Sequence, residues 1–445
     1  MSEYGELPLT KRLAQRKNKR NRKNIIKLIA LIVVTAAVIT GIVFGIKAIV
    51  ETTANHARET AKLDISADIL READFIAAGY DYDAAIGKVR SCEGYDKKQE
   101  MLDAIARYET AKAALVRHED VTDITHVFFH TLIVDTAKSF DGEYTQTGYN
   151  QYMTTVSEFK KIIEEMYNRG YVLVDVHDIA QQKDNGDGTV SFVPGDIMLP
   201  EGKIPFVMSQ DDVSYYSYMK GDGFADRIVI GDDGLPTCEY TQDDGTVVRG
   251  DYDLVPILER FIGEHPDFSY RGARAALALT GYDGVLGYRT CPTADDYNEA
   301  DVAEATKVAQ RMRECGWTFA SHSWGHLRYG QASAEKVAAD AKKWDEQVRP
   351  IVGDTDVIIY AHGDDIAGIG KYSGTKFETL KGYGFKYFCN VDSAKSWVQI
   401  GKDYVRQGRR NLDGYRMWYN PKMLSDLFNV DDVWDNTRPT PVPPI

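Results

Sequence analysis

Residues 307–326 read KVAQRMRECGWTFASHSWGH, and this stretch decides the fold. Its first half places apolar residues such as Val308 and Met312 at helical spacing and stops at Gly316. The run WTFASH follows at once and is typical of a strand that is buried on both faces. The strand ends in two histidines four residues apart, a spacing that puts both imidazoles on one face of a helical turn. The stretch therefore predicts a helix, a buried strand and a pair of metal ligands.

The same pattern of helix and strand extends outward through the chain from about Val121. The clearest other helix begins with a capping box at Thr155 and Glu158 and stops at Gly170, just before an apolar run. Seven strands alternating with helices indicate an α/β fold, either a closed barrel or an open parallel sheet. Besides 317–322, the apolar runs are 126–134, 171–176, 204–209, 275–280, 357–362 and 386–391.

Three of these strands end in groups that can carry chemistry, which is where parallel α/β folds place their reactive residues. The run 204–209 leads into Asp211 and Asp212, the run 317–322 into the histidine pair, and the run 357–362 ends in His362. Adjacent carboxylates on an extended backbone point in opposite directions, so one can bind a metal while the other acts as a base. Two histidines and one aspartate leave coordination positions for water and substrate. The alternatives are a turn for the aspartates and a structural role for the histidines.

Two other histidines, His126 and His130, are also four residues apart. On a strand this spacing separates them by about 13 Å, so we do not expect them to share a metal. The segment KDNGDGTV, 183–190, has the look of a calcium loop, but Lys183 occupies the position of the first carboxylate. We therefore predict that the segment 183–190 forms a tight hairpin turn between two short strands.

Two further clusters leave alternatives open. The tyrosines of SYYSY, 214–218, offer faces on which sugar rings stack, or they pack under the next helix. Arg406, Arg409 and Arg410 lie near the end of the domain. They could meet anionic groups of a polymer, but salt bridges to an acidic protein body are favoured.

The amino terminus predicts a membrane anchor. The chain has 445 residues and a net charge of −14, yet the segment through Asn24 is +6 and the rest is −20. An acidic body argues against a nucleic-acid partner. From Leu28 to Ile46 nineteen residues carry no charge, and about 20 apolar residues span a bilayer. The basic cluster before them places the N-terminus in the cytoplasm, whereas a cleaved signal peptide would have a shorter apolar core.

The expected organisation follows from these segments. Five cysteines, an odd number in a space we expect to be oxidising, leave at least one that is either free or paired with another molecule. The predicted parts are a basic cytoplasmic tail (1–23), a transmembrane helix (24–50), a helical stalk (51–120), an α/β domain outside the cell membrane (121–436) and a Pro-rich tail (437–445).

Over roughly 121–400, these strand ends resemble the polysaccharide deacetylase family, the NodB-homology domain of carbohydrate esterase family 4. Its Thr-Phe-Asp-Asp-Gly motif appears as Ser-Gln-Asp-Asp-Val at 209–213, and its His-Ser/Thr-x-x-His motif is intact from His322 to His326. Tyr-Ala-His-Gly at 360–363 looks like the Tyr-Pro-Tyr-Gly of one branch. The resemblance implies a deformed (β/α) barrel in which Asp212, His322 and His326 bind a divalent metal and Asp211 is the general base.

The chain departs from the family pattern in three respects. No histidine follows His362, although the family supplies its general acid from a late histidine, so His362 or His130 would have to replace it. Ile359 stands where an arginine is expected. Asp212 and His322 are separated by 109 residues, about twice the length expected from the resemblance, and the excess includes an acidic, Gly-rich stretch predicted to form a hairpin over the site.

The resemblance implies a metal-dependent hydrolase that cleaves the carbon–nitrogen bond of N-acetyl groups on a cell-envelope glycan such as peptidoglycan, and the N-terminal segment predicts that this hydrolase is membrane-anchored. Zn²⁺ suits two imidazoles and a carboxylate, and Co²⁺, Ni²⁺ or Mn²⁺ are compatible with the same ligands. Two alternatives stay open. One is an O-acetyl esterase, which needs a weaker acid because an alkoxide leaves more easily than an amine. The other is a glycan-binding envelope protein that has lost turnover.

Overall fold

The structure, a computed structural model, describes residues 9–392 and 394–445, and within 9–64 it describes only part of the side chains. The chain divides into two compact units, Met1–Arg71 and Glu72–Ile445. The described residues of the first unit belong to one helix, α1 (Leu9–Ala78).

The predicted membrane span, 24–50, falls on α1. Ten of the nineteen uncharged side chains from Leu28 to Ile46 lie outside the described residues, as do the first eight residues of the predicted basic tail. Among the residues that are described, no helix combines the length and the apolar character needed to cross a bilayer. The predicted transmembrane helix, single-pass topology and cell-membrane localisation are therefore not supported.

The second unit contains the other α-helices and the strands. The helices are α2 (Tyr82–Arg90), α3 (Gln99–Ala113), α4 (Thr136–Ser139), α5 (Gln146–Tyr152), α6 (Val156–Asn168), α7 (Leu254–Glu264), α8 (Glu299–Glu314), α9 (Ala334–Gln347), α10 (Arg349–Val352), α11 (Thr375–Gly382), α12 (Gly414–Tyr419) and α13 (Val430–Val433). The strands are β1 (Val116–Arg117), β2 (Thr125–Phe129), β3 (Tyr171–Leu173), β4 (Ala180–Asp184), β5 (Val190–Pro194), β6 (Met198–Leu199), β7 (Ile204–Gln210), β8 (Arg227–Ile230), β9 (Pro236–Thr241), β10 (Val247–Gly250), β11 (Ala276–Leu279), β12 (Thr318–Ser321), β13 (Val357–Ile359), β14 (Tyr387–Val391), β15 (Val398–Ile400) and β16 (Val405–Asn411).

Seven parallel strands close into a barrel in the order β2, β7, β11, β12, β13, β14, β16 and back to β2. The barrel is deformed at β7, because β3 pairs with residues 204–206 of this strand before β11 pairs with Ser209 and Gln210. The predicted α/β barrel is thus confirmed, and the open sheet is not formed.

One barrel strand differs from the prediction. Six of the seven apolar runs supply ring strands, but the run 171–176 forms β3, which pairs with β7 alone and stays outside the ring. The seventh place is taken by β16, whose sequence VRQGRRN contains three arginines. Because β16 is so polar, its sequence gives no apolar run from which a buried strand could be predicted. Its side chains are nevertheless buried, by partners from other strands and loops.

The core follows the alternation of side chains along the strands. On β11, Ala276 and Ala278 face the barrel interior, whereas Leu277 and Leu279 pack with the helices outside. On this strand, small residues face the interior and large ones fill the gap to the helices. The clearest predicted helix, α6, has the expected capping box of Thr155 and Glu158.

Two predicted appendages pack against the barrel within the second unit. From Glu72 onward the predicted stalk belongs to this unit, and the Tyr80 hydroxyl donates to the Asp267 carbonyl (2.8 Å). In the Pro-rich tail, Arg438 forms an ion pair with Glu158, and both side chains are fully buried. The tail is also held to α5, since Asn150 Nδ2 donates to the Pro439 carbonyl (2.8 Å).

Candidate active site

The aspartate pair lies at the carboxyl end of β7. Asp211 continues the strand, because its backbone N–H donates to the Phe129 carbonyl of β2 (2.8 Å). Asp212 leaves the strand with a φ of 60°, a left-handed conformation that costs about 1–3 kcal/mol for a residue other than glycine. The two carboxylates face different partners as predicted, but the reason is the left-handed turn at Asp212 and not the alternation of an extended strand.

The loop after β12 presents the two histidines. Ser323 and His326 adopt left-handed φ values of 60° and 54°. The carboxylate of Asp340, on α9, accepts hydrogen bonds from the backbone N–H groups of Trp324 (2.7 Å) and Gly325 (2.9 Å). One carboxylate from a neighbouring helix thus holds the strained loop in place, which is how strain persists at functional sites.

Asp212, His322 and His326 converge on one point. The Nε2 atoms of His322 and His326 lie 3.9 and 3.7 Å from Asp212 Oδ1, and the three candidate ligand atoms all lie within 4.8 Å of one another. His322 Nδ1 is 2.8 Å from the Ile359 carbonyl, which can only accept, so Nδ1 carries the proton and the Nε2 lone pair faces Asp212. Two imidazole nitrogens and a carboxylate fit a divalent metal such as Zn²⁺.

The pKa shifts of Asp212 and His326 agree with a role as metal ligands. Burial alone would raise the pKa of Asp212, but the nearby histidines outweigh it and lower the pKa. Burial lowers the pKa of His326 to about 4 despite the opposing charge of Asp212. Both shifts favour the forms that a metal binds, carboxylate and neutral imidazole.

Asp211 is held by an arginine that the sequence analysis does not place in the site. Arg409 of β16 is fully buried and donates to both carboxylate oxygens, Nη1 to Oδ1 (2.6 Å) and Nη2 to Oδ2 (2.9 Å). Burial alone would raise the pKa of Asp211, but the charge of Arg409 outweighs it and lowers the pKa to about 2. A guanidinium therefore sits beside this carboxylate, although Ile359 occupies the position expected for it.

His126 lies inside the barrel, away from the candidate ligands. Its Nδ1 is 3.0 Å from Gln407 Oε1 and its Nε2 is 2.9 Å from Ser209 Oγ. Burial, together with the charge of Arg409, lowers the pKa of His126 to about 3. The ring is therefore neutral and satisfied by its neighbours, which fits the expectation that it shares no metal with His130.

His130 and His362 both line the site cavity, in different surroundings. His130 Nδ1 is 3.0 Å from the Tyr152 carbonyl, so its Nε2 remains available, 4.0 Å from Asp212 Oδ2. This oxygen is not the one that His322 and His326 approach. His362 is exposed, has a φ of 57°, and packs its ring on His326 with centroids 4.3 Å apart.

A cavity of about 730 Å³ opens over the candidate metal ligands. One wall is formed by α5 and the residues beside it, from Tyr144 to Met153, and Arg328 adds a cation. The structure thus brings together every residue that the sequence predicts for the site: Asp211, Asp212, His322, His326 and His362.

Other sequence predictions are also answered by the geometry. The hairpin interpretation of 183–190 is confirmed by the antiparallel pairing of β4 and β5. The acidic insertion forms an antiparallel sheet of β8, β9 and β10. The arginines of β16 form salt bridges, Arg406 with Asp365 (2.7 Å) and Arg410 with Asp426 (2.9 Å), besides that of Arg409. None of the five cysteines, all of which lie in the described part of the chain, forms a disulfide.

Comparison with known proteins finds one family that part of the chain resembles. The model of the polysaccharide deacetylase family matches residues 292–388. The resemblance to polysaccharide deacetylases is confirmed. The deacetylase match covers about a fifth of the chain and includes His322, His326 and His362, whereas the aspartate pair precedes it. No curated protein matches the chain. Among solved structures, the Streptococcus pyogenes deacetylase PplD in complex with acetate aligns with 67% of this chain and 94% of its own, at 13% identity and a TM-score of 0.35.

Proposed function

We propose that this protein is a metal-dependent deacetylase that hydrolyses N-acetyl groups of a cell-envelope glycan of the peptidoglycan type. The observation that carries the proposal is the convergence of Asp212, His322 and His326 beside Asp211 in one cavity. Zn²⁺ is the metal that we expect, and Co²⁺, Ni²⁺ and Mn²⁺ suit the same ligands. When bound, the metal supplies Lewis acidity toward the acetyl carbonyl and lowers the pKa of water.

Asp211 acts as the general base in this proposal. Its lowered pKa keeps it ionised at neutral pH, and the two hydrogen bonds from Arg409 fix its orientation. Each carboxylate oxygen has a second lone pair, so one of them remains able to accept the proton of the attacking water. Arg409 is a positioning residue, because it touches Asp211 and lies inside the barrel.

His130 is the group that we propose as the general acid for the departing amine, in preference to His362. The Tyr152 carbonyl fixes the Nδ1 side of His130 and leaves Nε2 toward Asp212 in the cavity. Burial raises the pKa of Asp413, a carboxylate that lines the same cavity, and the nearby His130 opposes that shift. His362 instead lies exposed against His326, which suits contact with substrate.

An O-acetyl esterase on the same residues is the second candidate function. It is favoured by the absence of any histidine after His362, because an alkoxide leaves with less help from an acid than an amine does. The position of His130 weakens this argument for an esterase. His130 directly follows β2 and lines the cavity, so it can supply the imidazole that a late histidine would otherwise provide.

Metal content and acetate release, measured together, test the proposal. Full-length wild type, Asp212→Ala and Asp211→Asn would be assayed with acetylated peptidoglycan, chitin oligomers and an O-acetylated glycan. We expect wild type to bind about one metal and to release acetate from the N-acetylated substrates. Asp212→Ala should lose both properties, and Asp211→Asn should keep the metal but lose activity.

The other outcomes separate the alternatives. Acetate release from the O-acetylated glycan alone would identify an esterase. A full complement of metal without acetate release from any glycan would indicate a binding protein. Wild type that binds no metal would show that the ligand assignment is wrong.

A further inference from the structure

Three aromatic rings form a stack that extends from the candidate metal ligand Asp212. The Tyr216 hydroxyl donates to Asp212 Oδ1 (2.5 Å). The Tyr216 ring lies nearly parallel to that of Tyr218, with centroids 5.6 Å apart at 11°, and to that of Tyr282, with centroids 5.1 Å apart at 13°. Tyr216 is 4% exposed, whereas Tyr218 is 58% and Tyr282 36% exposed. This tyrosine stack (Tyr216, Tyr218 and Tyr282) has a buried centre and two open members.

The tyrosine stack lies where two cavities approach each other. Tyr218 lines the cavity of about 730 Å³ that contains the candidate metal ligands. Tyr216 and Ser217 line a second cavity of about 360 Å³, whose walls carry polar groups such as Lys220 and Glu239. A ligand longer than one sugar could therefore extend from the site along the stack toward polar groups beyond it.

The loops that carry the open tyrosines are tied together before any ligand binds. The Ser217 backbone N–H donates to Asp283 Oδ2 (2.6 Å), which joins the Tyr218 loop to the residue after Tyr282. Arg289 donates to the Asp283 carbonyl (2.9 Å) and to the Tyr215 carbonyl (2.7 Å), and so connects the same two loops. A preorganised aromatic surface loses little conformational entropy on binding.

We propose that the tyrosine stack is a subsite for a sugar next to the one that is deacetylated. The inference rests on the proposed function. An aromatic face matches the C–H face of a pyranose, and the tyrosine hydroxyls can meet its hydroxyl groups at the edge. Packing alone accounts for Tyr215 and Tyr216, which are buried, but not for the exposure of Tyr218 beside the cavity.

The test compares long and short substrates in the full-length chain. For Tyr218→Ala we expect kcat/KM on the chitin hexamer to fall by about 3- to 10-fold, mainly through KM, because one aromatic contact is lost. On N-acetylglucosamine, which has no neighbouring sugar to stack, we expect the fall to be smaller than on the hexamer. Tyr218→Phe should retain the wild-type value on the hexamer. Tyr297→Ala is the matched control, since Tyr297 is 41% exposed and is not among the residues that line either cavity.

Equal kcat/KM values for Tyr218→Ala and wild type on the hexamer would overturn the subsite while leaving the deacetylase proposal intact. Binding of the deacetylated hexamer, measured by calorimetry, separates the two ideas if wild type releases no acetate at all. Weaker binding by Tyr218→Ala than by wild type would then support the subsite without the proposed activity. Binding that is absent from wild type, or unaffected by the substitution, would overturn it.

Discussion

The two ends of the barrel combine histidine and aspartate in opposite ways. At the carboxyl end, His322 and His326 stand 3.9 and 3.7 Å from Asp212, beyond hydrogen-bond distance. At the amino end, His177 bridges two carboxylates, with Nδ1 2.5 Å from Asp175 Oδ1 and Nε2 2.9 Å from Asp356 Oδ1. The first arrangement is open and the second is closed.

The difference shows that the partner of a ring nitrogen decides what the histidine can do. Burial alone would lower the pKa of His177, but the two carboxylates outweigh it and raise the pKa to about 10. An imidazolium has no lone pair to give to a metal. His322 instead donates one N–H to the Ile359 carbonyl, which carries no charge, and keeps the other nitrogen as a ligand.

Removing one histidine from each end is the strongest test of this comparison. We expect His322→Ala to lose tightly bound metal and acetate release, because one of three ligands is gone. His177→Ala should retain both, because its ring serves as a charge bridge. Metal per chain after dialysis and acetate released from chitin oligomers are the measurements. Loss of metal from His177→Ala, with His322→Ala unaffected, would reverse the comparison.

A second pair of substitutions, at His130 and His362, tests which histidine of the open end is the general acid. Loss of a general acid lowers kcat by about 10²- to 10⁴-fold, so we expect a decrease of that size for His130→Ala with the metal still bound. For His362→Ala we expect a decrease of less than about tenfold, because an exposed contact with substrate is worth little more than one aromatic or polar interaction. Steady-state kinetics with metal analysis provide the test. A larger loss in His362→Ala would assign the acid to His362.

The sequence predicts where the candidate ligands of the open end lie in the fold, because they directly follow apolar runs. WTFASH is both a buried strand and the carrier of His322, and the run 204–209 leads in the same way into Asp211 and Asp212. A local pattern therefore encodes the strand and the ligand together. Convergence of the strand ends then follows from the parallel sheet.

The sequence does not predict β16, because its burial depends on partners that are distant in the chain. Salt bridges are the favoured prediction for Arg406, Arg409 and Arg410, and each meets a carboxylate from another part of the fold. The local sequence does not identify those partners, and it does not show that the three arginines lie on a buried strand. The sequence names His130 only as one of two possible general acids, and it does not show which of the two is better placed. The place of His130 in the site depends on β2 lying beside β7, a pairing that no local pattern specifies.

The ion pair of Asp211 and Arg409 gives a third test at the open end, through stability. Arg409→Met leaves a buried carboxylate without its partner, and breaking such a pair costs about 3–5 kcal/mol of unfolding free energy. The double variant Arg409→Met/Asp211→Asn should recover most of that loss, because no unpaired charge remains. Urea unfolding of the single and double variants measures both. Purely additive losses would show that the two groups do not act as a pair.

The closed end gives the smallest effect, a dependence of stability on pH. The pKa of His177 is raised to about 10, above the ordinary value of 6.5, so its stabilisation is fully present below about pH 6.5 and is lost as the pH rises through 10. Its side chain is 41% exposed, which limits the effect to about 1 kcal/mol. We expect His177→Asn to be less stable than wild type at pH 6 and equally stable above pH 10, in urea unfolding at low salt. A difference that grows with pH would mean that the folded ring is neutral, and the contrast between the two ends of the barrel would then fail.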